Sequence, residues 1–437
     1  MAKPSHGWFS HPWVGFSIRG SLTTGKFQLD RCNDIRKMTG LIVALIKIAI
    51  LVGGLMTAAA YFVLLERKVA AWVQDRRGPN RVGLPMTNIR LFGLGQPLAD
   101  GLKFVFKEEY VPRHVDRLLF TLAPIVIMTS ALAIFAVIPF GSVLPINTGI
   151  EGVEKPIQMI VAPGMDVGLI YVFALSSIAV YGVILGGWSS NNKYGYLGAL
   201  RSSAQMIAYE LPLGLGILGV VLASGSLRLG EIIGQQASDG VWFAFAQPLG
   251  FVVFVVAAFA EAARLPFDLP ECEQELIGGY HTEYSGMRLI MFLIAEFLHM
   301  ITASFLIVIL FLGGWHFWGL TGTDAASATW SQAILRIVVL MVKIFCVIFF
   351  FMLVRLSWPR FRFDQLMALA WKVMLPLGLV NLVAVAILSE PAIRDRLGTN
   401  NVFVFMACSW AVAIVAWIVT GMAQPLIADN RPRLGGD

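Results

Sequence analysis

The chain has 437 residues, of which 57% are hydrophobic and only 14% are charged. Soluble globular proteins carry roughly 25% charged residues, so this composition excludes a water-facing surface of this size and predicts an integral membrane protein. The net charge of +6 does not indicate nucleic-acid binding, because the basic residues lie in loops between apolar segments. The four cysteines form no Cys-x-x-Cys pair, which argues against a zinc or iron–sulfur site made by this chain alone.

Residues 1–39 are polar and basic and have no apolar centre, so we expect an extramembrane N-terminal extension rather than a signal peptide. Nine apolar segments follow, each close to the length of about 20 residues that a helix needs to cross a bilayer. They predict membrane-spanning helices at 40–65, 118–140, 167–188, 204–223, 241–262, 289–313, 334–356, 373–389 and 402–423. The expected fold is an all-α polytopic membrane protein, with about eight core helices in residues 40–390 and a ninth in a C-terminal extension, residues 391–437.

The distribution of lysine and arginine predicts the orientation of these helices. The loop after the first predicted helix, every second loop after it and the C-terminus together carry twenty of these residues, against ten on the opposite side. We therefore expect loops 66–117, 189–203, 263–288 and 357–372 to be cytoplasmic, with the N-terminus outside. The expected location is the cytoplasmic (inner) membrane of the cell.

The first of these loops, residues 66–117, is too long for a simple connection. Its segment 97–107 has four apolar residues at helical spacing, with charged residues between them. This pattern predicts an amphipathic helix that lies on the membrane surface. The four apolar residues are Leu98, Leu102, Val105 and Phe106.

Carboxylates inside apolar segments are candidates for function, because burying one in a bilayer costs at least about 2.5–3.5 kcal/mol. Glu210 and Glu296 lie deep within predicted helices, whereas Glu66 and Glu261 lie at helix ends. The alternative is that these acids pair with basic groups and hold the helices together. Glu261 and Arg264 are three residues apart, which predicts such a pair on one helix face.

Two basic side chains within the apolar segments have open roles. His299 shares a helix face with Glu296 and is either a hydrogen-bonding residue between helices or a proton carrier. Lys343 lies in the middle of a predicted helix, where it either faces a carboxylate or tunes a proton path. Lys47 is near a helix end and is expected to be structural.

Loop 263–288 is the most acidic segment of the chain. Its acids are interleaved with apolar and aromatic residues rather than with solvating ones. The loop could be a solvated acidic surface, an entrance for protons toward Glu210 and Glu296, or a docking surface for a basic partner. The acids are Asp268, Glu271, Glu273, Glu275 and Glu283.

Four stretches of the chain carry a specific resemblance. They are ERKVAAWVQDRRGPNRVG at 66–83, QPLADGLKFVFKEEYVP at 96–112, ALRSSAQMIAYELPLG at 199–214, and EAARLPFDLPECEQELIGGYHTEYSGMRLIMFLIAEF at 261–297. Together they resemble the H-type membrane subunit of NADH-quinone oxidoreductase, respiratory complex I, and the likeness extends from about residue 40 to 390. In that family this subunit forms most of the lipophilic tunnel for quinone and begins the line of charged residues that leads into the proton-pumping membrane arm.

The resemblance implies two sets of residues. The quinone set, expected to line or support the quinone cavity, is Glu66, Arg67, Arg76, Asp100 and Glu108. The proton set, expected to couple quinone reduction to proton translocation, is Glu210, Glu261, Glu271, Glu273, Glu275, Glu283 and Glu296, with Arg201 and Arg264 as charged partners.

The resemblance also implies cofactors and partners. The chain is expected to bind no redox cofactor, to take ubiquinone or menaquinone as substrate, and to depend on FMN and iron–sulfur clusters in partner subunits. The expected partners are the peripheral quinone-module subunits, small membrane-arm subunits and membrane lipids, with no nucleic acid.

Two departures from the family pattern stand out: the stretch 84–95 is longer than usual, and Phe297 replaces a common tyrosine. A related subunit of a membrane-bound hydrogenase and an ion-coupled transporter with Glu210 and Glu296 at a midplane site are the alternatives. The lack of internal repeats and the long loop 66–117 favour the redox-linked subunit over the transporter.

Overall fold

The computed structural model describes residues 19–83, 92–145, 157–268, 276–322, 329–391 and 402–427. Within these ranges the chain is almost entirely helical, with one short antiparallel β-ribbon, β1 Val143–Leu144 and β2 Ile157–Gln158. The helices are α1 Arg19–Val73, α2 Gln96–Phe106, α3 Arg117–Ile134, α4 Gly168–Ser189, α5 Lys193–Ser224, α6 Leu229–Asp239, α7 Phe243–Ala246, α8 Pro248–Glu261, α9 Gly286–Phe311, α10 Trp318–Thr321, α11 Trp330–Ser357, α12 Phe363–Ser389 and α13 Val402–Ile427. A 3₁₀ turn lies at Gly279–His281, and α12 contains a π-helical turn at Leu369–Met374.

In the described ranges, eight helices are long and apolar enough to cross a membrane. They are residues 40–73 of α1, then α3, α4, α5, α9, α11 and α12, and residues 402–422 of α13. The predicted all-α polytopic fold is confirmed. Helix α1 begins at Arg19, inside the segment expected to be an N-terminal extension, and the division into extension, core and C-terminal segment stays a prediction.

The predicted helix at 241–262 is broken in the structure. It consists of α7, a break at Gln247, and α8, which has 14 residues. At 1.5 Å per residue α8 is about 21 Å long, shorter than the roughly 30 Å hydrocarbon layer. Helix α8 therefore does not cross the membrane by itself.

Three glutamines that are 0% exposed donate side-chain hydrogen bonds to backbone carbonyls of neighbouring helices: Gln205, Gln236 and Gln247. The Gln247 amide donates to the carbonyl of Gly219, with an N–O distance of 3.1 Å. The Gln205 amide donates to the carbonyl of Ala260 in the last turn of α8 at 2.8 Å. Because lipid offers no hydrogen bonds to backbone groups, a helix break at this depth requires such partners.

Local sequence sets where the helices begin. The Asp116 carboxylate accepts hydrogen bonds from the backbone N–H groups of Leu118 and Leu119, at 3.1 and 3.4 Å, and so caps α3. Asn192 caps α5 in the same way, by accepting from the N–H of Tyr194 at 3.1 Å. Side chains of this kind satisfy backbone donors that the first helical turn leaves without partners. The caps thus fix the ends of α3 and α5 next to the loops that carry the candidate site.

Helix α9 is the centre of the bundle, with 83% of its most apolar window buried, compared with 6% for α1 and 11% for α13. It packs against α1, α3, α8 and α11. Since Glu296 and His299 lie on α9, both are enclosed by protein. The outer faces of α1 and α13 are open to lipid or to other subunits.

The loops meet at two ends of the bundle. At one end, called the Glu66 end, the Asn191 amide after α4 donates to the carbonyl of His114 before α3. At the other, called the Lys47 end, the Lys47 ammonium group donates to the backbone carbonyls of Gln158 and Ile160, at 3.0 and 3.1 Å. Loops 66–117 and 189–203, both expected to be cytoplasmic, therefore lie at the same end, and the side of the membrane that this end faces stays a prediction.

Candidate functional site

The end of α1 carries a group of charged side chains, the Glu66 cluster, made of Glu66, Arg264 and Arg355. One Glu66 carboxylate oxygen accepts a hydrogen bond from Arg355 near the end of α11. The other oxygen is 3.6 Å from Nη1 of Arg264, which follows α8. The side chain of Arg264 is only 7% exposed and that of Glu66 is 20% exposed. The cluster therefore joins α1, α8 and α11 through largely buried charges.

Arg264 also lies on the ring of Phe297, with its guanidinium carbon 4.2 Å from the ring centroid. Its Nε and Nη2 atoms are buried and have no hydrogen-bond partner in the described part of the chain. A cation over an aromatic face is attracted by the ring's electrons. Phe297, one of the departures from the family pattern, thus supplies a face for this arginine.

The expected pair between Glu261 and Arg264 is wrong. Helix α8 ends at Glu261, and the chain then turns through Ala263, whose φ is +49°. Residues three apart share a face only while the helix continues. The turn directs Arg264 to Glu66 instead.

A second pair lies beside the cluster. The Asp268 side chain, only 3% exposed, accepts a hydrogen bond from Arg360 at 3.4 Å. Phe267 stacks on Phe361, with ring centroids 5.5 Å apart. The chain after α8 is therefore held against the chain after α11.

The structure brings some members of the quinone set together and leaves others apart. Arg67 donates to Asp100 at 2.8 Å, which ties the end of α1 to α2 next to Glu66. Arg76 is exposed and donates to the side chain of Gln74. Glu108 is exposed beyond the end of α2. Arg67 and Asp100 thus form one pair, Glu66 belongs to the separate cluster with Arg264 and Arg355, and Arg76 and Glu108 lie outside both.

The predicted amphipathic helix is confirmed as α2, residues Gln96–Phe106. All four of its predicted apolar-face residues, Leu98, Leu102, Val105 and Phe106, are exposed. An exposed apolar stripe on a short helix beside the membrane-spanning bundle suits the lipid interface.

Two carboxylates of the proton set lie close together behind the cluster. Glu210 on α5 accepts a hydrogen bond from the Ser177 hydroxyl on α4. Glu261 is close enough to Glu210 for their charges to interact, and it faces Ser176 on the same α4. Adjacent serines of α4 therefore face a pair of carboxylates from α5 and α8.

Glu296 is the acid of α9 and is 9% exposed. The Tyr280 hydroxyl donates to its Oε1 atom at 2.8 Å. Tyr280 can lie there because two glycines meet: a Cβ atom on Gly198 would be 2.6 Å from the Cα of Gly279. The close approach of α5 to the 3₁₀ turn thus sets the partner of Glu296.

The remaining members of the proton set have different positions. Glu283 accepts from the Asn192 amide at 2.7 Å, and the Arg201 guanidinium lies 5.8 Å from the ring centroid of Phe363. Next to Glu283, burial raises the pKa of Tyr284 to about 12, so this phenol stays neutral in its contact with Ser189. Glu271, Glu273 and Glu275 lie outside the described residues.

Lys343 makes a set of contacts at the Lys47 end that the sequence left open. Its ammonium group donates to the backbone carbonyls of Leu312, Gly314 and His316, at 2.6, 3.0 and 2.6 Å. It also lies 4.5 Å from the ring centroid of Trp242. Among its described contacts the partners are carbonyls and rings, so Lys343 caps the end of α9.

Arg336, seven residues before Lys343 on α11, is a further buried cation that was not among the predicted residues. It is 1% exposed and donates to the Thr321 carbonyl at 3.0 Å and the Ser142 hydroxyl at 2.9 Å. An arginine inside an apolar segment is as costly as a lysine, and that cost was the signal that could have found it. Beside it, burial lowers the pKa of His316, which keeps that ring neutral near pH 7.

An apolar cavity of about 520 Å³ lies between α1, α9 and α11. It extends along α1 from Lys47 to Phe62, one helical turn before Glu66. Its other walls include Phe305 and Ile344. The quinone set does not line this cavity, although the cavity ends close to the Glu66 cluster.

The sequence matches the family described as NADH dehydrogenase over residues 46–386. The chain belongs to this family. Similar proteins include the first of the H-type NADH-quinone oxidoreductase subunits of Geobacter metallireducens, 46% identical over 339 residues that cover 78% of this chain and 94% of the relative. The corresponding first H-type subunit of Cytophaga hutchinsonii is 46% identical over 330 residues, 75% of this chain and 91% of the relative. The second H-type subunit of Koribacter versatilis is 43% identical over 360 residues, which cover 79% of this chain and 97% of the relative.

The NADH dehydrogenase family match confirms the resemblance stated from the sequence. It contains the Glu66 cluster, the Glu210–Glu261 pair and Glu296. Helix α13, which begins at Val402, lies beyond the matched residues.

Proposed function

We propose that the chain is the H-type membrane subunit of NADH-quinone oxidoreductase, which forms the quinone tunnel with the peripheral arm and couples quinone reduction to proton translocation. One observation carries this proposal. Arg264 belongs to the Glu66 cluster, follows Glu261 by three residues, and lies on the ring of Phe297, the neighbour of Glu296. Arg264 therefore places the Glu66 cluster next to the two chain segments that carry Glu261 and Glu296.

The Glu66 end suits the head of a quinone. A quinone has a long apolar tail and two carbonyl oxygens, so its path needs apolar walls and a few polar donors at the inner end. The exposed apolar residues of α2 supply a wall, and Arg67 supplies a donor beside Glu66. Either ubiquinone or menaquinone meets these requirements.

Electrons reach the quinone from outside this chain. Reduction of a quinone to a quinol takes two electrons and two protons, and the electrons come from FMN and iron–sulfur clusters in partner subunits. The chain itself binds no redox cofactor. The peripheral quinone-module subunits bind at loop 66–117 and the acidic loop 263–288. Small membrane-arm subunits and lipids contact the outer helices. No nucleic acid is involved.

Quinone reduction is coupled to proton movement through the electrostatic interaction between the Glu66 cluster and the buried carboxylates. Charge that develops on a quinone beside the Glu66 cluster changes the potential at Arg264, which is buried and therefore weakly screened. The nearby carboxylates Glu261, Glu210 and Glu296 respond by taking up or releasing protons. Glu271, Glu273, Glu275 and Glu283, with Arg201, lead protons from the surface to this group.

We assign the Glu66 end to the cytoplasmic side of the inner membrane and the Lys47 end to the outside. The excess of lysine and arginine in the loops of the Glu66 end supports this orientation. Residues 40–390 form the functional core, and residues 1–39 and 391–437 are extensions of it.

The proton-coupling part is tested by Glu210→Gln in the assembled complex. The amide keeps the shape of the side chain and a hydrogen bond to Ser177 but does not titrate. We expect normal assembly, with loss of most quinone-linked NADH oxidation and proton pumping. Glu231→Gln, an exposed change on α6, is the matched control and should behave as wild type. Normal turnover in Glu210→Gln would show that the acid is structural.

The quinone part is tested by Arg67→Ala. We expect a higher apparent KM for a short-chain quinone, and unchanged NADH oxidation with a hydrophilic acceptor that bypasses the tunnel. Arg77→Ala, an exposed change in the same loop, is the control. If Arg67 only binds lipid headgroups, at about 1 kcal/mol per basic residue, both activities will instead follow the amount of assembled complex.

A further inference from the structure

We infer that one water molecule bridges Glu261 to His299, and that His299 thereby connects the carboxylates of α5 and α8 to Glu296 on α9. The bridge itself rests on geometry, and its part in proton coupling rests on the function proposed above. His299 has no assigned role in that function.

The first observation is a small enclosed cavity between α3, α4, α8 and α9. The space open to the centre of a water molecule is about 10 Å³, which is the size that one water needs. Four polar side chains line it, and a buried water commonly has two to four polar partners. They are Ser176, Glu261, His299 and Thr302.

The second observation is the state of His299. Its side chain is buried, with 7% of the residue exposed, and its Nε2 atom has no hydrogen-bond partner in the described part of the chain. Buried polar atoms in proteins nearly always have a partner, either protein or ordered water. Because His299 also lines the cavity, a water there gives Nε2 the partner that it needs.

The hydroxyl groups around the cavity can accept hydrogen bonds from this water. Ser176 donates to the carbonyl of Phe173 at 3.0 Å, and Thr302 donates to the carbonyl of Leu298 at 2.9 Å. Both hydroxyl oxygens therefore keep lone pairs that accept from water. With either imidazole tautomer, the water has a suitable partner at Nε2, because water both donates and accepts.

The water connects two groups of buried carboxylates that lie on different helices. Glu210 and Glu261 interact beside Ser176 and Ser177, whereas Glu296 lies on α9 with Tyr280 as its partner. His299 is one turn after Glu296 on the same helix. A water between Glu261 and His299 therefore forms a continuous polar route from α8 to α9.

The direct test is a structure of the assembled complex at a resolution that shows ordered water. We expect density for one water within hydrogen-bond distance of the Glu261 carboxylate and His299 Nε2. A dry cavity would overturn the inference. This readout does not depend on pumping, so it separates failure of the bridge from failure of the proposed function, which the Glu210→Gln variant tests.

The functional test compares two substitutions of His299. His299→Gln keeps a group that hydrogen-bonds the water, whereas His299→Leu does not. We expect His299→Leu to assemble but to lose most proton pumping per NADH oxidised, and His299→Gln to retain it. Leu306→Met, an apolar change in the same cavity wall, is the control and should pump normally. Equal loss in both His299 variants, or normal pumping in His299→Leu, would contradict the role in coupling.

Discussion

Replacing Glu66 with glutamine is expected to destabilise the protein far more than replacing Asp100 with asparagine. Both acids pair with arginine near the end of α1, but their surroundings differ. The Arg264 partner of Glu66 is 7% exposed, whereas the Arg67 partner of Asp100 is 49% exposed.

The magnitude follows from burial. Removing one partner of a buried ion pair costs about 3–5 kcal/mol, because the other charge stays buried without compensation. Arg355 is 26% exposed and can recover water, so we place Glu66→Gln near the lower limit, at about 3 kcal/mol. An exposed pair contributes about 0–1 kcal/mol, which is the expected cost of Asp100→Asn.

The measurement is the thermal midpoint of the purified complex in detergent, together with the amount of assembled complex in membranes. The order expected is wild type, then Asp100→Asn slightly lower, then Glu66→Gln clearly lower. The double variant Glu66→Gln with Arg264→Met should recover part of the loss, because it removes the buried charge as well. Equal midpoints for the two single variants, or no recovery in the double variant, would refute the reasoning.

Two further predictions concern the Lys47 end and the orientation. Lys343→Met should lower the stability of the complex by about 2–3 kcal/mol, the scale of a hydrogen bond from a charged donor, measured as the thermal midpoint. Pumping per NADH oxidised should be unchanged. Selective loss of pumping would instead assign Lys343 to the proton path. In a background without the native cysteines, Glu231→Cys should react in intact cells with a membrane-impermeant thiol reagent, and Glu108→Cys should react only after the cells are opened. Reaction of Glu108→Cys in intact cells would reverse the orientation.

The membrane-spanning helices could be predicted because each depends on the length of an apolar segment. The segments at 118–140, 289–313 and 334–356 correspond to α3, α9 and α11. The amphipathic helix α2 depends on local spacing in the same way and was also predicted. Such signals lie within about 20 neighbouring residues, so a single sequence contains all of them.

The partners of charged side chains could not be predicted in this way. Arg264 and Glu66 are almost 200 positions apart, and Arg264 reaches Glu66 only because the chain turns after α8. A local rule favoured Glu261, because it assumed that the helix continued. The carbonyl partners of Lys343 could not be predicted from the sequence either, because every residue has a backbone carbonyl.

The break between α7 and α8 has a consequence for how the protein is made. Residues 241–262 are apolar over a length that suffices to enter the bilayer as one continuous helix. The interruption at Gln247 is stable only where Gly219 and the neighbouring helices accept or supply its hydrogen bonds. We therefore expect the segment to insert first as an unbroken helix and to break when α5 and α9 pack against it. Biogenesis would then form the backbone geometry around Gln247 last, after the membrane crossings are already fixed.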